Sequence, residues 1–410
     1  MQLTEQHVID RNDPRYAVID AAAFASKNLY NAANYEIRQA FIHENTYLNY
    51  NEMQRRMQSH EAYKALPAKV SQEILMVLDR NWRKGFFEAL KAYEENPSKF
   101  TGRPRLPKYK HKTEGRNILI YTGQAISKRG LKKGLIQPSM LPISVKTKQK
   151  DIDQVRVVPR NGYYVVEVIY TKEPVQAKVD PSFCVGIDLG VTNLAAIASN
   201  REGFIPRLVN GRPVKAWNQW YNKRMKELKK LLPKDDRERV TRQMERITNT
   251  RNRRIDHYLH TASKRMVDFL VVEGIGTVII GKNPLWKQES SMGKRNNQNF
   301  VSIPHARFID MITYKATLVG IGVEVREESY TSKASFLDLD PIPTYTPNDE
   351  VEHIFSGKRI GRRNRLYRTK DGRKICADVN GAYNILRKSR PDAFAKGIAA
   401  YVVQPVRLAV

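Results

Sequence analysis

Apolar and polar positions follow helical spacing over the first hundred residues and strand spacing in several stretches after that. Beyond Asp13-Pro14, residues 17–42 are rich in Ala, Tyr and Phe with few breakers, which predicts a long helix. From Pro67, a good first-turn residue, the positions Ile74, Val77, Leu78, Trp82, Phe86, Leu90 and Tyr93 form a stripe at helical period, closed by Asn96-Pro97. Such a stripe is bundle core, so residues 1–100 are expected to form a helical module. The period then shortens. ILIYT (118–122) and YYVVEVIY (163–170) predict strands, and FCVGIDLGVTNLAAIAS (183–199) predicts a buried strand, a glycine turn and a second strand. TVIIGKN (277–283) and IGVEVREESYTSK (321–333) add further strands, and ICADVNGAYNILRK (375–388) adds a late helix. The expected class is an α+β chain of several domains.

Composition narrows the partner. The 410 residues carry 71 Lys and Arg against 42 Asp and Glu, a net charge of +29, with 41% hydrophobic residues to build cores. Two to three domains fit that length, and wholesale disorder does not fit that composition. No stretch nears the roughly 20 apolar residues that span a bilayer, so no membrane partner is expected. MQLTEQHVIDRNDPRYAV has early acids and no apolar run, so no signal peptide is expected. Cys184 and Cys376 are the only two cysteines, which excludes a disulfide framework and a four-cysteine zinc site. A reducing cytoplasm is the expected compartment. A surplus of 29 positive charges points to nucleic acid, whose condensed counterions are released by Lys and Arg.

The charge is dispersed. Residues 101–150 hold 13 Lys and Arg and one acid, Glu114. Within TGRPRLPKYKHK, Arg103, Arg105, Lys108, Lys110 and Lys112 are interleaved with Pro104, Pro107 and Tyr109, a pattern suited to tracking a phosphate backbone and stacking on a base. Residues 215–254 hold 14 basic and five acidic residues in two helical stretches broken at Leu232-Pro233, and 358–374 hold nine basic residues and one acid. Lys282, Trp286 and Lys287 fall in GKNPLWKQ, a basic loop expected beside the chemistry. Separate basic segments suit a long or folded nucleic acid held by several domains.

The acids carry the chemistry. Asp188 stands where the first strand of 183–199 ends, and charged groups are rarely buried without a partner or metal. A nuclease of RNase H type places an Asp there; ATPases of the sugar-kinase and actin type use a similar strand for phosphates. Asp378 precedes the late helix, with Asn380 at D-x-N spacing, where helix capping is the alternative. Two-metal phosphodiester cleavage needs several convergent carboxylates.

In order and spacing, GRPRLPKYK, GIDLG, YTSK, ADVNGAYNI and the closing VVQPVRL resemble the TnpB family. These are RNA-guided nucleases encoded by insertion sequences and related to type V CRISPR effectors. The resemblance implies a bilobed protein. Residues 1–100 would be a recognition module with an N-terminal wedge strand, 101–180 a basic wedge β-barrel, and 181–410 an RNase H-like RuvC domain. Within that last domain 210–260 would be a helical insertion. It also implies two Mg²⁺ ions, a guide RNA derived from the transposon end, and a double-stranded DNA target with a short adjacent motif. The expected state is a monomer or an RNA-bound particle in a prokaryotic cytoplasm, associated with the nucleoid.

Two departures from the family pattern change the expectation. Ala334 in TSKASFLD stands where the family's first zinc cysteine falls, so 330–374 is expected to be a zinc-less insertion. Gly281 stands where the middle RuvC glutamate falls, and Glu273 is too early to replace it. The next strand ends at Glu327 and Glu328, and strand alternation lets one of them point at the metals. The expected set is therefore Asp188, Asp378 and one of Glu327 and Glu328. If Gly281 was never compensated, the chain is a guided binder that does not cut; if the acids are structural, it is an unguided nucleic-acid-binding protein.

Overall fold

A computed structural model describes residues 1–236, 238–282, 303–345, 352–361, 365–395, 397–398 and 401–410. The chain divides into two compact units, Met1–Lys172 and Glu173–Val410. No helix among the described residues is long and apolar enough to cross a membrane.

The first unit combines six helices with six strands. In chain order these are β1 (Gln2–Asp10), α1 (Tyr16–Glu44), α2 (Tyr50–Met57), α3 (Glu61–Lys64), α4 (Ala68–Trp82) and α5 (Ala89–Glu95). They are followed by β2 (Leu119–Thr122), α6 (Lys128–Lys132), β3 (Leu135–Ile136), β4 (Val145–Lys146), β5 (Gln154–Arg160) and β6 (Tyr163–Thr171). The sheet runs β1-β6-β5-β2, antiparallel throughout, with β3 and β4 a separate pair. Helix α1 ends at Asn45 in the left-handed region, and α2 starts with a capping box of Asn49 and Glu52. The stripe read from 74 to 93 is not one regular helix. A π-helical stretch, Arg83–Glu88, joins α4 to α5. It lies in an aromatic cluster in which Phe41 and Tyr47 pack on Trp82 and Phe87, and Phe41 also packs on Phe86.

The second unit is a six-stranded sheet with helices on both faces. Its elements are β7 (Asp180–Leu189), β8 (Asn193–Ser199), β9 (Arg207–Asn210), α7 (Arg212–Lys230), α8 (Arg242–Val272), β10 (Ile275–Gly281), α9 (His305–Thr317) and β11 (Gly322–Arg326). The chain closes with β12 (Lys358–Ile360), β13 (Leu366–Arg368), β14 (Lys374–Cys376), α10 (Ala377–Ser389) and β15 (Val406–Arg407). Strand order is β11-β10-β7-β8-β9-β15, with β11, β10 and β7 parallel and β7, β8 and β9 antiparallel. Alternation sorts the side chains. Val185, Ile187, Val278 and Ile280 join the core shared with α8 and α9, while Cys184 and Ile279 join the core built on α10. By the same period, Asp188 and Gly281 belong to the α10 side.

The insertion between β11 and α10 is organised by hydrogen bonds around a buried acid. Asp340 accepts from the backbone N–H groups of Ser335 (2.8 Å) and Ser356 (3.0 Å) and from the Ser356 hydroxyl. Ala334 is fully buried, and its carbonyl accepts from Asn380 (2.8 Å) and Asn384 (2.7 Å). Asp340→Ala would strand the buried Ser335 N–H, a cost of about 1–3 kcal/mol, and release the exposed Ser356. A loss of about 1–3 kcal/mol in chemical denaturation is expected.

Candidate active site

Three elements bring acids to one end of the sheet. Asp188 is the ninth residue of β7 and faces α10. Residue 381, in the first turns of α10, lies so close that a Cβ there would stand 2.9 Å from Asp188 Oδ2, and the residue is Gly381. Asp378 is in the first turn of the same helix and is 5% exposed. Glu328 lies two residues beyond the end of β11. A Cβ at position 281 would stand 2.2 Å from Glu328 Oε2 and 3.0 Å from Glu328 Cβ. Glu328 thus fills the space that a side chain at 281 would take.

The electrostatics of the pair 327–328 differ sharply. Burial pushes the Glu328 carboxyl up to about 7, the Glu327 charge adds to this, and Lys388 opposes it. Burial also acts upward on Glu327, but hydrogen bonds from Lys388 and Ser329 outweigh it and hold that carboxyl below its ordinary value. Glu327 is ion-paired with Lys388. Asp188 keeps some solvent contact yet is enclosed by protein; desolvation lifts it well above the usual carboxylate range, followed by the charges of Glu328 and Asp378.

Asp378 has partners of its own. Asn193, at the start of β8, donates to its Oδ2 at 2.6 Å, and Arg365 donates to Oδ1 at 3.0 Å. Arg359 of β12 lies 3.6 Å from the same oxygen. Among the described residues no three acidic, imidazole or thiol groups stand close enough to share one ion. In kind, the donor set fits a hard divalent cation, which takes oxygen ligands. Desolvation first, and then repulsion from Glu328 and Asp378, raise Asp188, and both are costs such a cation would relieve.

Sequence reasoning missed Asn193, Arg359, Arg365 and Lys388. Lys388 ends a polar stripe, Asn380-Asn384-Lys388, at four-residue spacing along one face of the late helix, which is a readable signal. Glu273 caps α8 and pairs with Arg201 at 3.0 Å. Lys282 is exposed directly after Gly281, whereas Trp286 and Lys287 lie outside the described residues.

The basic segment of the first unit is fastened to α1. Lys27 Nζ donates to the carbonyl of Lys112 (2.6 Å), and Asn31 exchanges two bonds with the backbone of Lys110, each 2.8 Å. Asn34 (3.0 Å) and Arg38 (3.1 Å) both donate to the carbonyl of Pro107. Ascending residues on the strap meet descending residues on the helix. With its carbonyls so held, the strap leaves Arg103, Arg105, Lys108, Tyr109, Lys110 and Lys112 exposed.

Residues 165–286 match a family described as OrfB_IS605, a probable transposase, and residues 305–385 match one described as a Cas12f1-like TNB domain. No curated protein matches the chain. Among solved structures, the chain is similar to the protein of a Cas12f1–sgRNA–target DNA complex. The identity is 15%, covering 90% of this chain and 82% of that one, with a TM-score of 0.52. A CRISPR–Cas12f ternary complex aligns at 15% identity over 90% of this chain and 81% of that one, with a TM-score of 0.34. The first of these likenesses bears on the fold alone, and the second is too low to carry an argument.

Proposed function

We propose that this chain, which belongs at family level with the TnpB and Cas12f-like transposon-encoded nucleases, is an RNA-guided DNA endonuclease. It would be directed by a transposon-derived guide RNA and by a short motif beside the target. In this reading the sheet of the second unit is a RuvC domain of RNase H type, and the sheet of the first unit belongs to a wedge barrel. The observation that carries it is the convergence of Asp188, Glu328 and Asp378, from β7, the end of β11 and the start of α10, near enough for the charges of Glu328 and Asp378 to act on Asp188 though not, as they stand, to share one ion.

Asp188, Glu328 and Asp378 would hold Mg²⁺, which when bound supplies the Lewis acidity for phosphodiester hydrolysis. Asn193 orients Asp378 through its Oδ2. Arg359 and Arg365 place positive charge beside Asp378, where it would favour a phosphate. Base pairing with the guide would choose the target, leaving the protein to hold backbones by charge.

The reading predicts a tightly bound, defined RNA in protein purified from cells that express the transposon end. An RNA-free preparation, or one holding RNA of random sequence, would favour the unguided alternative. Changing Lys108, Lys110 and Lys112 together to Gln is expected to weaken RNA binding. The slope of log K against log salt should fall by roughly 0.7–0.9 for each phosphate that is no longer neutralised. Binding titrations at several salt concentrations measure this.

A second reading, a guided binder that does not cut, draws on the pairing of Asp378 with Arg365. It differs from the first in one respect: Mg²⁺ would produce no cleavage of a matched target.

A further inference from the structure

Helix α10 carries Asp378 in its first turn, and its remaining length grips the chain that follows Glu328. Asn380 donates to the Ala334 carbonyl and accepts from the Phe336 N–H at 2.9 Å. Asn384 donates to the carbonyls of Thr331 (2.9 Å) and Ala334 (2.7 Å). Lys388 donates to the carbonyls of Ser329 (3.1 Å) and Pro343 (3.0 Å) and pairs with the Glu327 carboxylate. Its side chain is 13% exposed. Three acceptors match the three protons of an ammonium, and so buried a lysine persists only where it is paired in this way.

Glu328 lies between two of those three acceptors. Glu327 precedes it and Ser329 follows it, so the ammonium pins both flanks of the acid that shares the space above Gly281 with Ile385. The strand ladder cannot do this, because β11 ends at Arg326, paired with Gly281. Local bonds act across the turn as well: the Thr331 hydroxyl (2.8 Å) and N–H (3.3 Å) both donate to the Glu328 carbonyl, and the Ser329 N–H donates to Glu327.

We propose that Lys388 is a positioning residue for the third carboxylate. It fixes the Glu327–Glu328–Ser329 turn from α10, so that the helix bearing Asp378 also sets where Glu328 stands. The inference rests on the reading of Glu328 as that carboxylate. A glutamate carried on β10 itself, as at position 281, would be placed by the sheet and would not need this clamp.

The test uses the protein with its guide RNA. Lys388→Met is made in the native chain and in a chain carrying Gly281→Glu with Glu328→Gly; Glu328→Gln is made alone. Single-turnover cleavage, Mn²⁺ affinity by electron paramagnetic resonance, and Tm are measured. In the native chain Lys388→Met should cost about 10- to 100-fold in cleavage rate and about 10-fold in Mn²⁺ affinity, the usual effect of losing a group that orients a ligand. Tm should fall by a similar amount in both chains, because the Ser329 and Pro343 carbonyls and the Glu327 carboxylate lose the same partner in each. In the exchanged chain the same substitution should cost no more than about threefold, because the coupled partner is gone. Equal losses of cleavage rate in both chains, or unchanged Mn²⁺ affinity in the native chain, would overturn the proposal. Should the exchanged chain be inactive, Mn²⁺ affinity of the native pair decides alone. Full activity of Glu328→Gln would remove the underlying reading as well. Loss in Glu328→Gln with none in Lys388→Met would leave that reading standing and sink only this inference.

Discussion

Asp188→Asn is expected to lower DNA cleavage by about a thousandfold or more, the scale of losing a group that stabilises transition-state charge, with guide and target binding retained. The amide keeps the shape of the side chain and removes only its charge. The same substitution should make the RNA-free protein more stable. Asp188 is lifted above its ordinary value first by desolvation and then by Glu328 and Asp378. A carboxyl raised in the folded state costs stability when ionised; the cost begins to shrink as pH falls through the raised value and is gone below the ordinary carboxyl value. The gain from Asn should therefore be present at neutral pH and vanish in acid. A rise of about 2–4 °C in Tm corresponds to about 1 kcal/mol. Loss of function with a gain in stability marks a site held in strain for its chemistry. Thermal denaturation across pH, beside a cleavage assay, checks both halves.

Glu328→Gln and Glu327→Gln should differ by about tenfold or more, although the residues are neighbours of the same type. Glu328 fills the space above Gly281 and is raised to about 7 chiefly by burial. Removing its charge should cost at least about a hundredfold in rate at saturating Mg²⁺. Glu327 points to Lys388 and is held low. An amide there keeps a hydrogen bond to the ammonium, so a loss of about tenfold or less is expected. Single-turnover rates of the two variants decide the matter; equal losses would mean that both carboxylates, or neither, serve the chemistry.

Much of this site was legible because strand alternation is strict. The pattern of 183–199 placed β7 and β8, and parity alone assigns Asp188 and Gly281 to one face. Where the strand ladder stops, so did the sequence reading. Glu327 and Glu328 follow β11, and what separates them is a lysine on α10, 61 residues beyond Glu327. The arginines on Asp378 were visible only as part of a basic run, since nothing in KRIGRRNRLYR marks which side chain turns inward. Charge and proline marked the strap at 103–112, whose basic side chains are exposed. Its fastening to Asn31, Asn34 and Arg38 depends on a helix some 70 residues earlier. The π-helical stretch at 83–88 hid inside a continuous apolar stripe, because Trp82 just before it and Phe86 within it are both buried in the core.

The most direct test is to reprogram the cut. Protein assembled with one of two guide RNAs is offered two plasmids in Mg²⁺, each plasmid matching one guide and carrying a randomised flank. The account predicts that each guide directs cleavage of its own plasmid only, beside a shared flanking motif, and that Asp188→Asn assembled in the same way cuts neither. Guide-dependent binding with no cleavage by the native protein, or cleavage indifferent to the guide, would contradict it.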